Sequence, residues 1–282
     1  MRLIFFAGLV LLLACEGDNG ITPLPGRLDL EVKFWEEGIP DNTEGIYLFV
    51  APQFPPHAIN EMFLSPNSLP LTGETTVHTS IDLPYGHYEA IGLWWYNKST
   101  ESNLADLFTL KIESYFDENN KLEFRPFAFD LTPENPVLET DLRADLQRVD
   151  RDASIQGTIF FNKNFPKDTI VKDGFPENTL ATAVGAYSRI PVRPIDYLIY
   201  LKSMDYSIDK SPFEYNLPVN SQVDIAFLGV FWLSDRSGLD GFNTLGFYSA
   251  PDDSTQPMSI HLTPNANITG IDIQADWSVI KE

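Results

Sequence analysis

Residues 131–149, LTPENPVLETDLRADLQRV, return as residues 262–280, LTPNANITGIDIQADWSVI, without a gap. Leu131, Thr132, Pro133, Asp141, Ala144 and Asp145 recur as Leu262, Thr263, Pro264, Asp272, Ala275 and Asp276 at an offset of 131. Upstream, IGLWWYN at 91–97 matches LGVFWLS at 228–234 at an offset of 137, with Gly92 and Trp95 recurring as Gly229 and Trp232. LDLEVKFW at 28–35 matches IQGTIFFN at 155–162 at an offset of 127. Offsets that drift between matched segments are what insertions in surface loops produce. The expectation is two tandem copies of one module, 27–149 and 153–282, joined by the short charged segment QRVDRDAS. Two copies do not make a solenoid, so each must close its own core.

Within a module the apolar pattern has a period of two. Leu28, Leu30, Val32 and Phe34 alternate with Asp29, Glu31 and Lys33, the pattern of a half-buried strand. GIYLFVA (45–51), TAVGAYS (182–188), TTVHTSIDL (75–83), HYEAIGLWWYN (87–97) and DLFTLKIESYF (106–116) read as further strands. Asp117 to Asn120 reads as a turn. The Pro-rich stretch 51–70 is an insertion with one helical turn expected around Ile59 to Phe63, and 165–179 is its shifted counterpart. Six to eight short strands per copy predict an all-β chain of two tandem β-sandwiches.

SIDLPYGHYEAIGLW resembles the L-P-x-G-x-Y stretch of carboxypeptidase-regulatory-like and transthyretin-like domains, on Leu83, Pro84, Gly86 and Tyr88. The resemblance implies that both copies are seven-stranded Greek-key sandwiches, Ig-like or transthyretin-like, a fold common in bacterial surface lipoproteins. In the second copy Leu217 and Pro218 are read as the counterparts of Leu83 and Pro84.

The N-terminus supplies an address. Arg2 precedes an apolar run from Leu3 to Leu13, too short to span a bilayer and of signal-peptide length. The run ends in Leu12-Leu13-Ala14-Cys15, which resembles a bacterial lipobox, and Cys15 is the only cysteine of 282 residues. The resemblance implies a signal peptide at 1–14, thioether lipidation of Cys15, and a tether over 15–26. The expected location is the cell envelope of a bacterium, at the outer membrane, with the lipid as the membrane contact.

Composition limits the partners. Residues 1–14 carry one charge, Arg2, so their removal takes the formal net charge from −21 to −22. A surface this acidic disfavours nucleic acid, whose phosphates demand Lys and Arg. Four histidines, at 57, 78, 87 and 261, show no metal-ligand spacing, although His78 and His87 could meet across a hairpin. No nucleophile elbow, phosphate loop or dinucleotide fingerprint occurs. The expectation is a protein that is not an enzyme and has no cofactor. It would bind or scaffold a protein or polysaccharide partner. The alternatives are an envelope glycosidase with an unrecognised carboxylate pair, or a structural stalk with a rigid joint at 147–154.

Two sets of residues stand out as candidate sites. Asp141 and Asp145, with Asp272 and Asp276, are four apart, so on a strand each pair would share a face and could contribute oxygens to Ca²⁺. In IGLWWYN, Leu93 and Trp95 share one face and Trp94 and Tyr96 the other. Repetition of Trp95 as Trp232 marks the first face as core. Trp94 and Tyr96 form a candidate ligand face, either covered or open.

Overall fold

The computed structural model describes residues 24–34, 39–54, 61–70, 75–97, 104–193, 195–234, 242–250 and 253–280. The expected signal peptide, Cys15 and most of the expected tether lie outside the described residues, as do Ile59 and His57. Among the described residues no helix is long and apolar enough to cross a membrane.

The chain is nearly all strand and loop. Its first part contains β1 (Gly26–Phe34), β2 (Gly45–Ala51), β3 (Phe63–Leu64), β4 (Thr76–Leu83), β5 (Gly86–Tyr88), β6 (Ala90–Tyr96), β7 (Leu107–Leu110), β8 (Ile112–Phe116), β9 (Leu122–Pro126), β10 (Phe129–Leu131) and β11 (Val137–Ala144). One sheet runs β11-β1-β4 and the other β3-β2-β6-β7. The alternation on β1 does what its period requires: Leu28, Leu30, Val32 and Phe34 are buried, together with Ile46, Leu48, Leu93 and Trp95 from the other sheet. Each such side chain contributes about 1.5–3 kcal/mol on burial.

The later part contains β12 (Ala153–Phe161), β13 (Val171–Lys172), β14 (Phe175–Pro176), β15 (Thr179–Tyr187), β16 (Leu201–Asp205), β17 (Phe213–Val219), β18 (Phe227–Ser234), β19 (Phe242–Phe247), β20 (Ser249–Ala250), β21 (Asp253–Pro257), β22 (Asn267–Ile268) and β23 (Ile273–Ala275). Here β12 pairs with β17 antiparallel and with β22 and β23 parallel, while the second sheet runs β16-β15-β18-β19. A second buried cluster is drawn entirely from Ala153 to Ile280.

The pairing of the first part recurs in the second. Val32 pairs with Leu142 and Phe34 with Ala144; Ile159 pairs with Ile273 and Phe161 with Ala275, offsets of 127 and 131. Tyr88 pairs with Phe129, and Ile225 bridges Ile260, offsets of 137 and 131. The recurrence breaks at one place. Ile155 pairs with Ile268, so five residues run to Ile273 where β12 advances four. The extra residue is absorbed around Gly270, whose φ of +76° suits glycine.

That bulge changes the core. Leu30 is buried opposite Thr79; its counterpart is Gly157, opposite Tyr215. A Cβ at Gly157 would lie 1.8 Å from the carbonyl oxygen of Ile271. The Tyr215 hydroxyl donates to that same oxygen at 2.5 Å. A small–large pair thus replaces a large–small one.

Four readings are corrected. The stretch 87–97 is two strands, because Glu89 breaks it: its N–H donates to Ala51 and its carboxylate accepts from the Phe54 N–H at 2.7 Å. The stretch 106–116 is likewise cut at Lys111, after which β8 leaves the sheet to form a hairpin with β9. The helical turn expected around Ile59 to Phe63 is met at Glu61, which lies in a 3-10 turn, but stops short of Phe63, which lies in a strand paired with Val50. Val219, opposite Ala153, takes the place that Leu83 holds opposite Gly26, so Leu217 and Pro218 sit two residues early to be the counterparts of Leu83 and Pro84. The L-P-x-G-x-Y stretch itself closes on a local bond, the Tyr88 hydroxyl donating to the Pro84 carbonyl at 2.7 Å.

The segment between the two clusters is packed. Arg148 donates to the carbonyl of Ile199 at 2.8 Å. The Arg151 guanidinium contacts the Asp106 carboxylate at 2.8 Å, both almost fully buried, and lies 5.5 Å from the Trp95 ring centroid. Ala105, on the 3-10 turn Leu104–Asp106, packs into an aromatic cluster of the later part.

Candidate binding face

Trp95 and Trp232 are core residues, each 1% exposed. A buried indole N–H needs an acceptor, and both find the same one. Trp95 donates to the Thr43 hydroxyl at 2.9 Å and Trp232 to the Thr179 hydroxyl at 2.8 Å. Thr43 and Thr179 are themselves related by an offset of 136, a signal present in the sequence and missed beside the larger aromatic residues.

The opposite face differs between the two parts. On β15 and β18 it carries Ala183, Tyr187, Phe227 and Phe231, all buried under Leu201, Met204, Tyr197 and Tyr200. The short helix Asp196–Ile199 brings Tyr197 there, and its ring lies 5.4 Å from that of Phe231. On β2 and β6 the face is sealed at one end only. Phe49, Ala51 and Ala90 lie under Phe54, Met62, Leu107 and Leu110, and the Phe49 ring fills the space over Gly92. At the other end Tyr47 pairs with Trp94, and the Tyr47 and Tyr96 rings meet edge to face at 6.4 Å. Tyr47 and Trp94 are half-buried and Tyr96 is 37% exposed. Trp94 and Tyr96 are therefore brought into one aromatic strip with Tyr47, a third member not singled out by sequence. The counterparts of Tyr47 and Trp94, Ala183 and Phe231, are 5% and 1% exposed, and that of Tyr96, Leu233, is half-buried.

The four aspartates do not share strand faces as expected. Asp141 lies on β11, but Asp145 falls beyond its end at Ala144, next to a 3-10 turn. Asp272 precedes β23 and Asp276 follows it. Asp141 accepts from the Lys111 ammonium, which together with that charge holds its carboxyl below the usual range. Asp272 accepts from the Thr158 N–H at 2.9 Å. Asp276 caps the turn Trp277–Val279 and its pKa is lowered by hydrogen bonds from Asn162 and Ser278. Among the described residues no group of three or more His, Cys, Asp or Glu is placed to hold a metal ion.

His78 and His87 are not partners: His78 stands opposite Glu31, and His87 Nδ1 lies 2.9 Å from Asp130. His261 lies 2.9 Å from Asp224. Asp224 occupies the place of His87 and His261 that of Asp130, so the same contact recurs with its members exchanged.

No family model matches the chain, and no curated protein matches it. Solved structures give weak likenesses. A leucine-rich repeat protein from Bacteroides thetaiotaomicron matches at 10% identity over 90% of this chain and 27% of its own, with a TM-score of 0.33. The Bacillus anthracis TIE protein matches at 9% identity over 89% of this chain and 34% of its own, TM-score 0.20. A DUF3823 family protein from Bacteroides ovatus matches at 12% identity over 84% of this chain and all of its own, TM-score 0.22. This chain thus spans about a quarter to a third of the length of the first two. Scores in this range carry neither fold nor function to it.

Proposed function

We propose that this is a non-catalytic, lipid-anchored envelope protein of two tandem Greek-key sandwiches, and that the first sandwich binds a polysaccharide on the strip Tyr47–Trp94–Tyr96. The observation that carries the reading is the contrast between the two parts. The same sheet face is sealed by Tyr197 and its neighbours in one and left open in the other. Three amphipathic rings on neighbouring strands suit the flat apolar faces of pyranose sugars. Repetition of the strand pairing supports the tandem arrangement, and the lone Cys15 in a lipobox-like setting supports export and anchoring.

The test is tryptophan fluorescence of the Cys15→Ala protein titrated with soluble polysaccharides. A saturable change with one glycan, lost in Trp94→Ala while the thermal midpoint is kept, is expected. A flat response over the panel with Trp94→Ala equally well folded would refute the glycan reading and leave a protein ligand.

A further inference from the structure

We propose that the end of the first sandwich where the tether enters is a contact rim for the lipid surface, formed by Leu24, Tyr85 and Val137. The proposal rests on the anchoring of Cys15 described above. Gly26 pairs with Leu83, and Arg27 with Val137, so the three neighbouring strands β4, β1 and β11 end together. At that end Leu24 is 43%, Tyr85 39% and Val137 49% exposed. Each adjoins a proline, Pro25, Pro84 or Pro136, and prolines present no N–H to be stranded against an apolar phase. The Pro136 carbonyl is already taken by the Arg27 N–H at 2.8 Å. Tyrosine with an apolar body and a polar tip is the side chain suited to the bilayer interface. Arg27 stands level with Val137 and Asp82 opposite Arg27, one charge of each sign beside the rim, and the exposed Glu134 precedes Pro136. The acids Asp29, Glu31, Glu139 and Asp141 lie further along the strands, away from it.

The tether decides the occupant. About nine residues separate Cys15 from Leu24. Full extension reaches about 30 Å. The lipid that holds Cys15 therefore keeps the membrane within reach of this rim at high effective concentration, and a weak apolar contact suffices to seat it.

The chemistry of the chain makes the test clean. Once Cys15 is acylated, an introduced cysteine is the only free thiol. The full-length lipidated protein, carrying Tyr85→Cys, Val137→Cys or, at the far end of β11, Arg143→Cys, is labelled with a polarity-sensitive dye and reconstituted into phosphatidylcholine vesicles. The expected result is a blue shift and quenching by nitroxide-bearing lipid at 85 and 137, with neither at 143. Water-like emission at all three positions, from protein that floats with the vesicles, would overturn the rim and leave the anchor standing. Absence of a diacylglyceryl mass on Cys15 would overturn both. A concentration-dependent blue shift at position 85 in vesicle-free Cys15→Ala protein would overturn the rim in favour of a second copy.

Discussion

Gly157→Ala should be one of the most damaging single-methyl additions in this chain. Its Cβ would lie 1.8 Å from the carbonyl oxygen of Ile271, a residue whose N–H and carbonyl are both hydrogen-bonded. The Ile271 N–H donates to Gln156 at 3.1 Å, and the Tyr215 hydroxyl donates to the Ile271 oxygen at 2.5 Å. Relief requires the bulge to move, which costs about 1–3 kcal/mol as overpacking. Loss of the tyrosine bond adds about 0.5–1.5 kcal/mol. Alanine offsets about 0.5–1 kcal/mol of this by restricting the unfolded chain. The net expectation is destabilisation of about 2 kcal/mol, within a span of about 0.5–4 kcal/mol, read as a lower urea midpoint at unchanged slope. Tyr215→Phe frees the carbonyl on one side, so the alanine should cost about 1 kcal/mol less in that background. A neutral or stabilising Gly157→Ala would show that the bulge is not held as described.

Thr43→Val should cost about 1–3 kcal/mol by stranding the Trp95 indole N–H, and Thr179→Val more, since its hydroxyl also donates to Pro176 at 2.6 Å; thermal denaturation ranks the two. Arg151→Met should cost about 3–5 kcal/mol by removing the cation that faces the buried Asp106 carboxylate. Adding Asp106→Asn should recover most of the loss in urea titrations. Burial, and then the neighbouring Arg148 charge, lower the Lys202 ammonium from 10.5 to about 8. Its folded form binds protons less tightly than the unfolded chain, so stability should rise as pH climbs from about 8 to about 10.5, by at most roughly 3 kcal/mol. Lys202→Met should flatten that rise in urea midpoints measured across the window, and a slope unchanged by the substitution would refute the assignment.

The strands legible in the sequence were those whose alternation runs uninterrupted, such as Leu28 to Phe34, and those apolar on both faces, such as GIYLFVA. Trp95 and Trp232 were legible as core because large apolar residues recur there. The breaks at Glu89 and Lys111 were not, since apolar alternation continues through both and only a change of pairing partner reveals them. The extra residue at Gly270 was hidden by the ungapped match of the two tails. The aspartate pairs failed for a related reason: spacing of four implies a shared face only while a strand lasts, and β11 stops at Ala144. Half of the candidate face was visible in Trp94 and Tyr96. Tyr47 was not, because it lies on a strand some fifty residues away and only the register joins them.

The exchanged histidine–aspartate contact bears on how such a chain avoids tangling. Tandem copies of one sandwich are prone to trade equivalent strands while they fold. If β10 docked against the later copy, Asp130 would face Asp224; the reciprocal error would set His87 against His261. Like charges directly opposite each other weaken a strand pair, as the two aspartates would, whereas each correct docking joins a histidine to an aspartate. Two residues exchanged in place thus label each strand with the copy to which it belongs.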